Sequence, residues 1–165
     1  MKPTLFILCG LPFSGKTTLA KALIQKYGWE FVGLDEINRE RGIGIDVSKA
    51  ITPKEWDISY QLTFTRTAKL LSDGKTVIYD ATNFTKEQRR KLVTIAENHG
   101  ASAKIIYVDT PKAEVIKRWM ENKEKTQRND VREEDFMQVV NNFEAPSPEE
   151  HAIAFHNGDA IEKVV

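Results

Sequence analysis

The stretch Thr4-Leu-Phe-Ile-Leu-Cys-Gly-Leu-Pro-Phe-Ser-Gly-Lys-Thr17 decides the fold of this chain. Its first part, Thr4–Cys9, is an apolar run of strand length, and Gly10–Thr17 fits the pattern G-x-x-x-x-G-K-[ST]. The residues that follow, Thr17–Ile24, have the pattern of a helix. A strand, a glycine-rich loop and a helix in this order are the context that a phosphate-binding P-loop requires. The stretch therefore predicts a site for a nucleoside di- or triphosphate, because the loop amides and the helix N-terminus point at one anion.

Two side chains of this loop have predicted roles of their own. Lys16 is expected to reach the β- and γ-phosphates, and the Thr17 hydroxyl is expected to bind Mg²⁺. The other positions expected to bind the nucleotide are Gly10, Pro12, Phe13, Ser14, Gly15 and Thr18. The alternative is a chance match that binds nothing, and the correct spacing and context both argue against it.

The composition places the chain among globular proteins and excludes several classes. Hydrophobic residues make up 41% and charged residues 29% of the sequence, as in ordinary globular proteins. The formal net charge of +0 gives no general attraction to nucleic acid, although a local basic patch stays open. A single cysteine, Cys9, excludes an internal disulfide and fits a reducing compartment, and we expect it to be a small buried residue. Because no apolar run reaches the length of a membrane span, we expect a cytoplasmic protein without contact to a membrane.

Strand and helix patterns alternate along the chain, which predicts an α/β fold on a parallel sheet. The predicted strands are Thr4–Cys9, Glu30–Leu34, Thr76–Tyr79 and Ala103–Val108, with a last strand or hairpin in Ala152–His156 and Glu162–Val165. Helices are predicted over about Gly15–Tyr27, after the capping boxes that begin at Thr52 and Thr85, and from Thr110-Pro111 to about Met120. Trp56, Tyr60 and Phe64 recur at helical spacing and favour core packing. We expect residues 1–165 to form a single domain.

Two segments are rich in charge. Residues 117–135 carry both signs and are either a solvated helical hairpin or a mobile lid that holds arginines over the phosphates. The arginines available there are Arg118, Arg128 and Arg132. The basic cluster Lys86, Arg89, Arg90 and Lys91 has the pattern of a solvated helix face.

Two aspartates follow predicted strands, at the sheet edge where open α/β proteins bind ligands. Asp80 ends an apolar strand in the form of a Walker B motif, which would hold Mg²⁺; the alternative is an Asx-turn. Asp35 is either a helix N-cap or a general base that takes the proton of an acceptor hydroxyl. Arg39, one turn later, either holds the acceptor or is a surface residue. Position alone leaves these alternatives open.

Six segments together resemble the small P-loop kinases grouped as AAA-domain-like kinases, which include the kinase domain of polynucleotide 5′-hydroxyl kinases. They are Gly10–Thr18, Gly33–Arg39, Val77–Asn83, the helix with Arg89-Arg90, Asp109–Pro111 leading to Arg118, and Phe143–Glu149. They cover nearly the whole chain in the order found in the family. The resemblance implies a three-layer P-loop NTPase sandwich: a parallel five-stranded sheet in the order 2-3-1-4-5, with a helical lid over about residues 117–135.

The resemblance also implies an activity. The chain is expected to transfer the γ-phosphoryl group of ATP to a hydroxyl acceptor with Mg²⁺ bound at Thr17 and Asp80, and no motif indicates an obligate protein partner. Lys16, Asp35, Arg118 and Arg128 would be catalytic, with Arg132 competing with Arg128 for the role of second lid arginine; Asp35, Arg39 and Asn83 would bind the acceptor. A polynucleotide 5′-hydroxyl is the favoured acceptor. A small-molecule alcohol, or an ATP-binding regulatory module with little turnover, stays as the alternative.

Overall fold

The computed structural model describes residues 2–46, 48–125 and 131–165, and these contain one sheet of five parallel strands. The strand order is β2-β3-β1-β4-β5, which confirms the predicted order. The strands are β1 (Thr4–Cys9), β2 (Glu30–Gly33), β3 (Val77–Asp80), β4 (Ser102–Val108) and β5 (Ile153–Phe155). The central position of β1 brings the loop that follows it to the middle of the sheet edge.

Helices connect the strands, and most of their boundaries agree with the capping signals. They are α1 (Lys16–Tyr27), α2 (Leu34–Glu40), α3 (Pro53–Ser72), α4 (Lys86–Asn98), α5 (Lys112–Lys125) and α6 (Glu133–Asn142). The capping boxes that begin at Thr52 and Thr85 are both formed. The helix predicted to end near Met120 continues to Lys125. Of the two alternatives for the C-terminal segments, the last strand is confirmed by β5, which is parallel to β4. The hairpin is wrong, because a 3₁₀ turn at Ile161–Val164 follows β5.

Both faces of the sheet are covered, because successive side chains of a strand point to opposite sides. Phe6 and Leu8 of β1 pack with Leu19 and Leu23 of α1 on one face. Leu5 and Ile7 pack on the other face, with α3 and α4. The half-buried aromatic residues of α3 contact this second core, which confirms the packing role predicted for Trp56, Tyr60 and Phe64.

The basic cluster after β3 does not form a uniformly solvated face. Lys86, Arg90 and Lys91 are exposed, as the pattern indicated. Arg89 is fully buried, with 0% of its surface accessible, so the prediction is wrong for this residue. Its guanidinium can be buried because Glu150 binds it with both carboxylate oxygens, at 2.7 and 3.0 Å.

The register aligns the carboxyl ends of the three strands that precede the predicted site. Leu8 of β1 pairs with Asp80 of β3, and Asp80 pairs with Gly33 of β2. The segments that follow these strands therefore lie along one edge of the sheet. Among the residues that the structure describes, no helix is both long and apolar enough to cross a membrane.

The buried thiol of Cys9 is expected to make the protein less stable at alkaline pH. Burial raises the pKa of Cys9 from its ordinary value of 9.0 to about 11, although Arg89 and Lys16 act in the opposite direction. The folded state therefore holds this proton more tightly than the unfolded chain. Its stabilising effect is full below the pKa of the unfolded chain and is lost as the pH rises toward the folded pKa, by about 1.4 kcal/mol per pH unit.

Urea unfolding at about pH 8 and about pH 10 measures this effect, with Cys9→Ala as the reference. Between these conditions the wild-type protein should lose about 1 kcal/mol more of its free energy of unfolding than the variant does. Equal losses in the two proteins would contradict the raised pKa.

Candidate active site

The loop Gly10–Thr17 turns sharply between β1 and α1, and its glycines are required by the geometry. A Cβ atom on Gly10 would lie 2.8 Å from the Ser14 Oγ and 2.8 Å from the carbonyl oxygen of Val108. Real Cβ atoms do not approach other atoms so closely, so no larger residue fits without a shift of the backbone. Gly15 has a φ of 107° and is the N-cap of α1, in the left-handed region that glycine adopts most easily. The first turn of α1 is thereby directed toward the loop.

Lys16 folds back over its own loop. Its Nζ donates hydrogen bonds to the carbonyl oxygens of Gly10 at 2.9 Å and of Leu11 at 2.8 Å, and the side chain is buried. The positive charge is therefore held within the loop. A phosphate would offer this ammonium group anionic acceptors, which make stronger hydrogen bonds than carbonyl oxygens do.

Thr17 and Asp80 meet, although 63 positions separate them in the chain. The Thr17 hydroxyl donates a hydrogen bond of 2.8 Å to Asp80 Oδ2. The contact follows from the fold, because Asp80 ends β3, the strand beside β1. A hydroxyl and a carboxylate oxygen at one point are the hard oxygen ligands that Mg²⁺ prefers, so these two residues fit the metal predicted for them.

The α5–α6 pair packs directly on the P-loop. Phe13 is buried and has a φ of 65°, which residues other than glycine seldom adopt. Its ring contacts Phe136 of α6 edge to face at 6.2 Å between centroids, and Phe136 stacks on Trp119 of α5 at 4.4 Å. This cluster, completed by Val115 and Val140, is a small core of its own. Within the described part of residues 117–135, Trp119 and Asn122 are buried, whereas most of the charged residues are exposed. The segment is therefore solvated on one face and packed on the other, and its role as a mobile lid stays a prediction.

Arg118 is the predicted lid arginine that the structure brings to the loop. Its Nη1 donates to the carbonyl oxygen of Phe13 at 3.1 Å, and its Nε pairs with Glu114 at 3.0 Å. Arg132 precedes α6 and pairs with Glu134 at 2.9 Å. Arg128 lies outside the described residues, so the choice between Arg128 and Arg132 stays a prediction.

A cavity of about 390 Å³ opens beside the P-loop, on the α1 side of the sheet. Its walls include Gly15, Thr18, Arg118, Asn157 and Gly158. Asn157 and Gly158 are not among the predicted site residues, because no known motif marks the loop after β5. The local signal is an Asn-Gly pair one residue after the end of β5, at the sheet edge where ligands bind.

Asp35 lies in the first turn of α2, at the end of β2. The N-cap of this helix is Gly33, so the interpretation of Asp35 as an N-cap is wrong. Asp35 and Arg39 are both exposed, one helical turn apart. The pKa of Tyr60 is raised to about 12 by burial and by the negative charge of Asp35, while a hydrogen bond with Gln88 acts to lower it. The negative charge of Asp35 therefore acts on Tyr60 of α3.

Asn83 has a structural role. The side chain is buried, and its Nδ2 donates to the carbonyl oxygen of Leu8 at 2.6 Å. Its backbone has a φ of 48°, in the left-handed region that asparagine tolerates better than most residues. The amide group holds the end of β1, and the acceptor-binding role of Asn83 stays a prediction.

The sheet order, the P-loop after the first strand and the Thr17–Asp80 pair define a P-loop kinase-like fold. The AAA domain family AAA_33 matches residues 5–146, and the chain belongs to this family. The match spans the loop, both strand-end aspartates and the α5–α6 pair. It confirms the predicted resemblance to AAA-domain-like P-loop proteins.

Three known proteins illustrate the similarity. The mouse 2′,3′-cyclic-nucleotide 3′-phosphodiesterase is 32% identical over 98 residues, which cover 58% of this chain and 21% of that protein. The Pnkp1/Rnl/Hen1 RNA repair complex matches at 24% identity and a TM-score of 0.71, covering 86% of this chain and 44% of the matched one. Kti12 from Chaetomium thermophilum, in complex with ADP-AlF3, matches at 17% identity and a TM-score of 0.78, with 97% and 93% covered.

The matched proteins differ in length and in the share of each chain that is covered. A putative adenylate kinase from Pyrococcus abyssi is 36% identical over 56 residues, which cover 34% of this chain and 31% of that protein. The chain therefore spans less than a third of the length of these two curated relatives. A gluconokinase from Sinorhizobium meliloti 1021 and the APS kinase CysC from Mycobacterium tuberculosis also match, both at 14% identity, with TM-scores of 0.65 and 0.66. The gluconokinase match covers 99% of this chain and 87% of the gluconokinase chain. The APS kinase match covers 98% of this chain and 92% of the APS kinase chain. Structures at this level of identity share the fold.

Proposed function

We propose that this protein is a kinase that transfers the γ-phosphoryl group of ATP to a hydroxyl group, and that the acceptor is a polynucleotide 5′-hydroxyl. The observation that carries the proposal is the Thr17–Asp80 contact at 2.8 Å, directly behind a P-loop and at the same sheet edge as Asp35. The edge combines a phosphate site, oxygen ligands for a metal and an exposed carboxylate, which are the parts that phosphoryl transfer uses.

The donor side would hold the triphosphate. The loop amides and the N-terminus of α1 bind its oxygens, and Lys16 exchanges two carbonyl acceptors for phosphate oxygens. Arg118 already contacts the loop backbone and lines the neighbouring cavity, where the nucleoside would lie. A cation at this position stabilises the charge that develops on the transferring group.

Thr17 and Asp80 would hold Mg²⁺ on the nucleotide. When bound, the metal neutralises charge on the phosphate oxygens during transfer. What the chain itself supplies is orientation: the Thr17 hydroxyl lies at the first turn of α1, and Asp80 is fixed by its place in β3. Both ligands are therefore carried by regular elements rather than by free loops.

The acceptor side would be formed by Asp35 and Arg39. Asp35 is exposed at the end of β2 and can accept the proton of an incoming hydroxyl. Arg39 is exposed one turn later, where it can hold an anionic group of the acceptor.

Several observations bear on the acceptor. The likeness to a chain of an RNA repair complex and the DATN segment, Asp80–Asn83, favour a polynucleotide. The likeness to a gluconokinase and to an APS kinase, together with the net charge of +0, favours a small molecule as the second candidate. A regulatory ATP-binding module would keep the P-loop and would not need Asp35.

Incubation with γ-labelled ATP and a panel of acceptors tests the proposal. The panel contains 5′-hydroxyl RNA, 5′-hydroxyl DNA, nucleosides, gluconate, adenosine 5′-phosphosulfate and chloramphenicol-like alcohols, with Lys16→Ala as the inactive control. We expect label on the polynucleotides and a KM for them that rises steeply with salt, because neutralised phosphates release counterions. If only a small alcohol becomes labelled, the proposal of a polynucleotide acceptor is wrong. If the protein binds the nucleotide and labels no acceptor, the proposal of kinase activity is wrong.

A further inference from the structure

The most deeply buried charged group of the described chain lies behind the magnesium ligands and not in the open cleft. Arg89 of α4 has 0% of its surface accessible, and each of its three side-chain nitrogens donates to an oxygen. Nε and Nη2 donate to the two carboxylate oxygens of Glu150. Nη1 donates to the carbonyl oxygens of Asn83 and Glu144, both at 2.9 Å. One side chain thus joins α4, the loop after β3 and the segment before β5.

The loop that Arg89 holds directly follows Asp80, the last residue of β3. From Asp80, residues 81–83 return to β1 and the P-loop: the Gly10 N–H donates to the carbonyl oxygen of Thr82 at 3.2 Å. The side chain of Asn83 donates to the carbonyl oxygen of Leu8 at 2.6 Å. The loop is therefore tied to the start of the P-loop on one side and to Arg89 on the other.

We infer that the Arg89–Glu150 pair is a positioning device for the magnesium site, which fixes the loop that follows Asp80 against the start of the P-loop, and thereby the end of β3 against the first turn of α1. The inference rests on the proposed function, since it concerns how the same site binds a metal–nucleotide complex. Arg89 touches neither the nucleotide nor the metal ligands. It acts through the carbonyl oxygen of Asn83, three residues after Asp80.

The stability that a buried ion pair contributes does not by itself explain the presence of Arg89 and Glu150. Transferring a guanidinium and a carboxylate from water costs several kcal/mol per ion, and apolar residues of similar volume often replace a buried ion pair without loss of stability. An arginine offers what an apolar residue does not: fixed donors that hold two carbonyl oxygens and a carboxylate in one arrangement. Burial alone would raise the pKa of Glu150. The hydrogen bonds from Arg89 and from the Ser147 N–H together lower this pKa by more than burial raises it, so the net shift is downward and the carboxylate stays ionised.

The test measures magnesium linkage, which needs no knowledge of the acceptor. The ratio between the dissociation constants of a fluorescent ADP analogue without and with Mg²⁺ reports how well Thr17 and Asp80 hold the metal. We expect Arg89→Lys and Glu150→Gln each to lower this ratio by about tenfold. This is the lower end of the effect found when groups that orient metal ligands are removed. Arg66→Lys is the matched control, because Arg66 makes a similar two-oxygen pair with Glu40 on the surface.

A second variant separates positioning from stability. Arg89→Met combined with Glu150→Leu replaces both charges by apolar groups and is expected to fold, with a melting temperature measured alongside. If the pair positions the loop, the double variant keeps its melting temperature and still has the reduced magnesium linkage. A double variant with wild-type linkage would overturn the inference. A wild-type protein whose ADP affinity does not respond to Mg²⁺ would instead overturn the proposed function.

Discussion

Replacing Asp35 by asparagine should lower the rate of phosphoryl transfer by about a hundred- to ten-thousandfold, the range expected when a general base is removed. The amide keeps the shape of the side chain and cannot take the proton of the acceptor hydroxyl. Asp35 lies at the end of β2, and the nucleotide would be held by the loop after β1 and by α1. The dissociation constant of the nucleotide should therefore be unchanged.

Single-turnover transfer of labelled phosphate, with nucleotide affinity measured in parallel, checks this expectation. Glu36→Gln is the matched control, because Glu36 is the neighbouring carboxylate in the same helical turn. It should leave the transfer rate close to the wild-type value. Full activity of the Asp35→Asn protein would show that Asp35 is not the general base.

Replacing Lys16 by alanine should weaken nucleotide binding by about ten- to a hundredfold, which corresponds to the loss of a hydrogen bond made by a charged group. Transfer should fall further, since the ammonium group would also stabilise charge on the phosphates in the transition state. The loop carbonyls of Gly10 and Leu11 lose their donor as well, so part of the effect comes from a less ordered loop.

Calorimetric titration with ATP and Mg²⁺ measures the change in affinity. Lys21→Ala is the appropriate comparison, because Lys21 is on the same helix and exposed. The two variants differ in net charge from the wild-type protein by the same amount, so a difference between them reports position rather than charge. Equal affinities of the two variants would exclude Lys16 from the phosphate site.

Local sequence signals predicted the elements that build the site. The apolar run Thr4–Cys9 is a strand with the predicted bounds, and the capping boxes locate α3 and α4. The meeting of Thr17 with Asp80 was also predictable, because parallel strands place their carboxyl ends at one edge. These inferences depend only on neighbours in sequence and on a general property of parallel sheets.

Features that depend on distant packing were not predictable. Phe13 fits any P-loop pattern, and nothing near it in sequence indicates that Phe136 of α6 covers it. Arg89 carries the same local pattern as the exposed Arg90, and its burial depends on Glu150, which is 61 positions away. Asn83 belongs to a motif that indicated a ligand, while its amide is used to hold β1. In each case the partner that decides the role lies in another element.

The ring of Phe13 belongs to two structures at once, the phosphate-binding loop and the small core of α5 and α6. If the α5–α6 segment of a relative replaced that of this chain, its side chains would pack against Phe13, whose size fits the original segment. Chimeras between relatives should therefore exchange residue 13 together with the segment. Divergence of the two parts is coupled in the same way: a change in ring size on either side leaves a void or a clash that the other must accommodate.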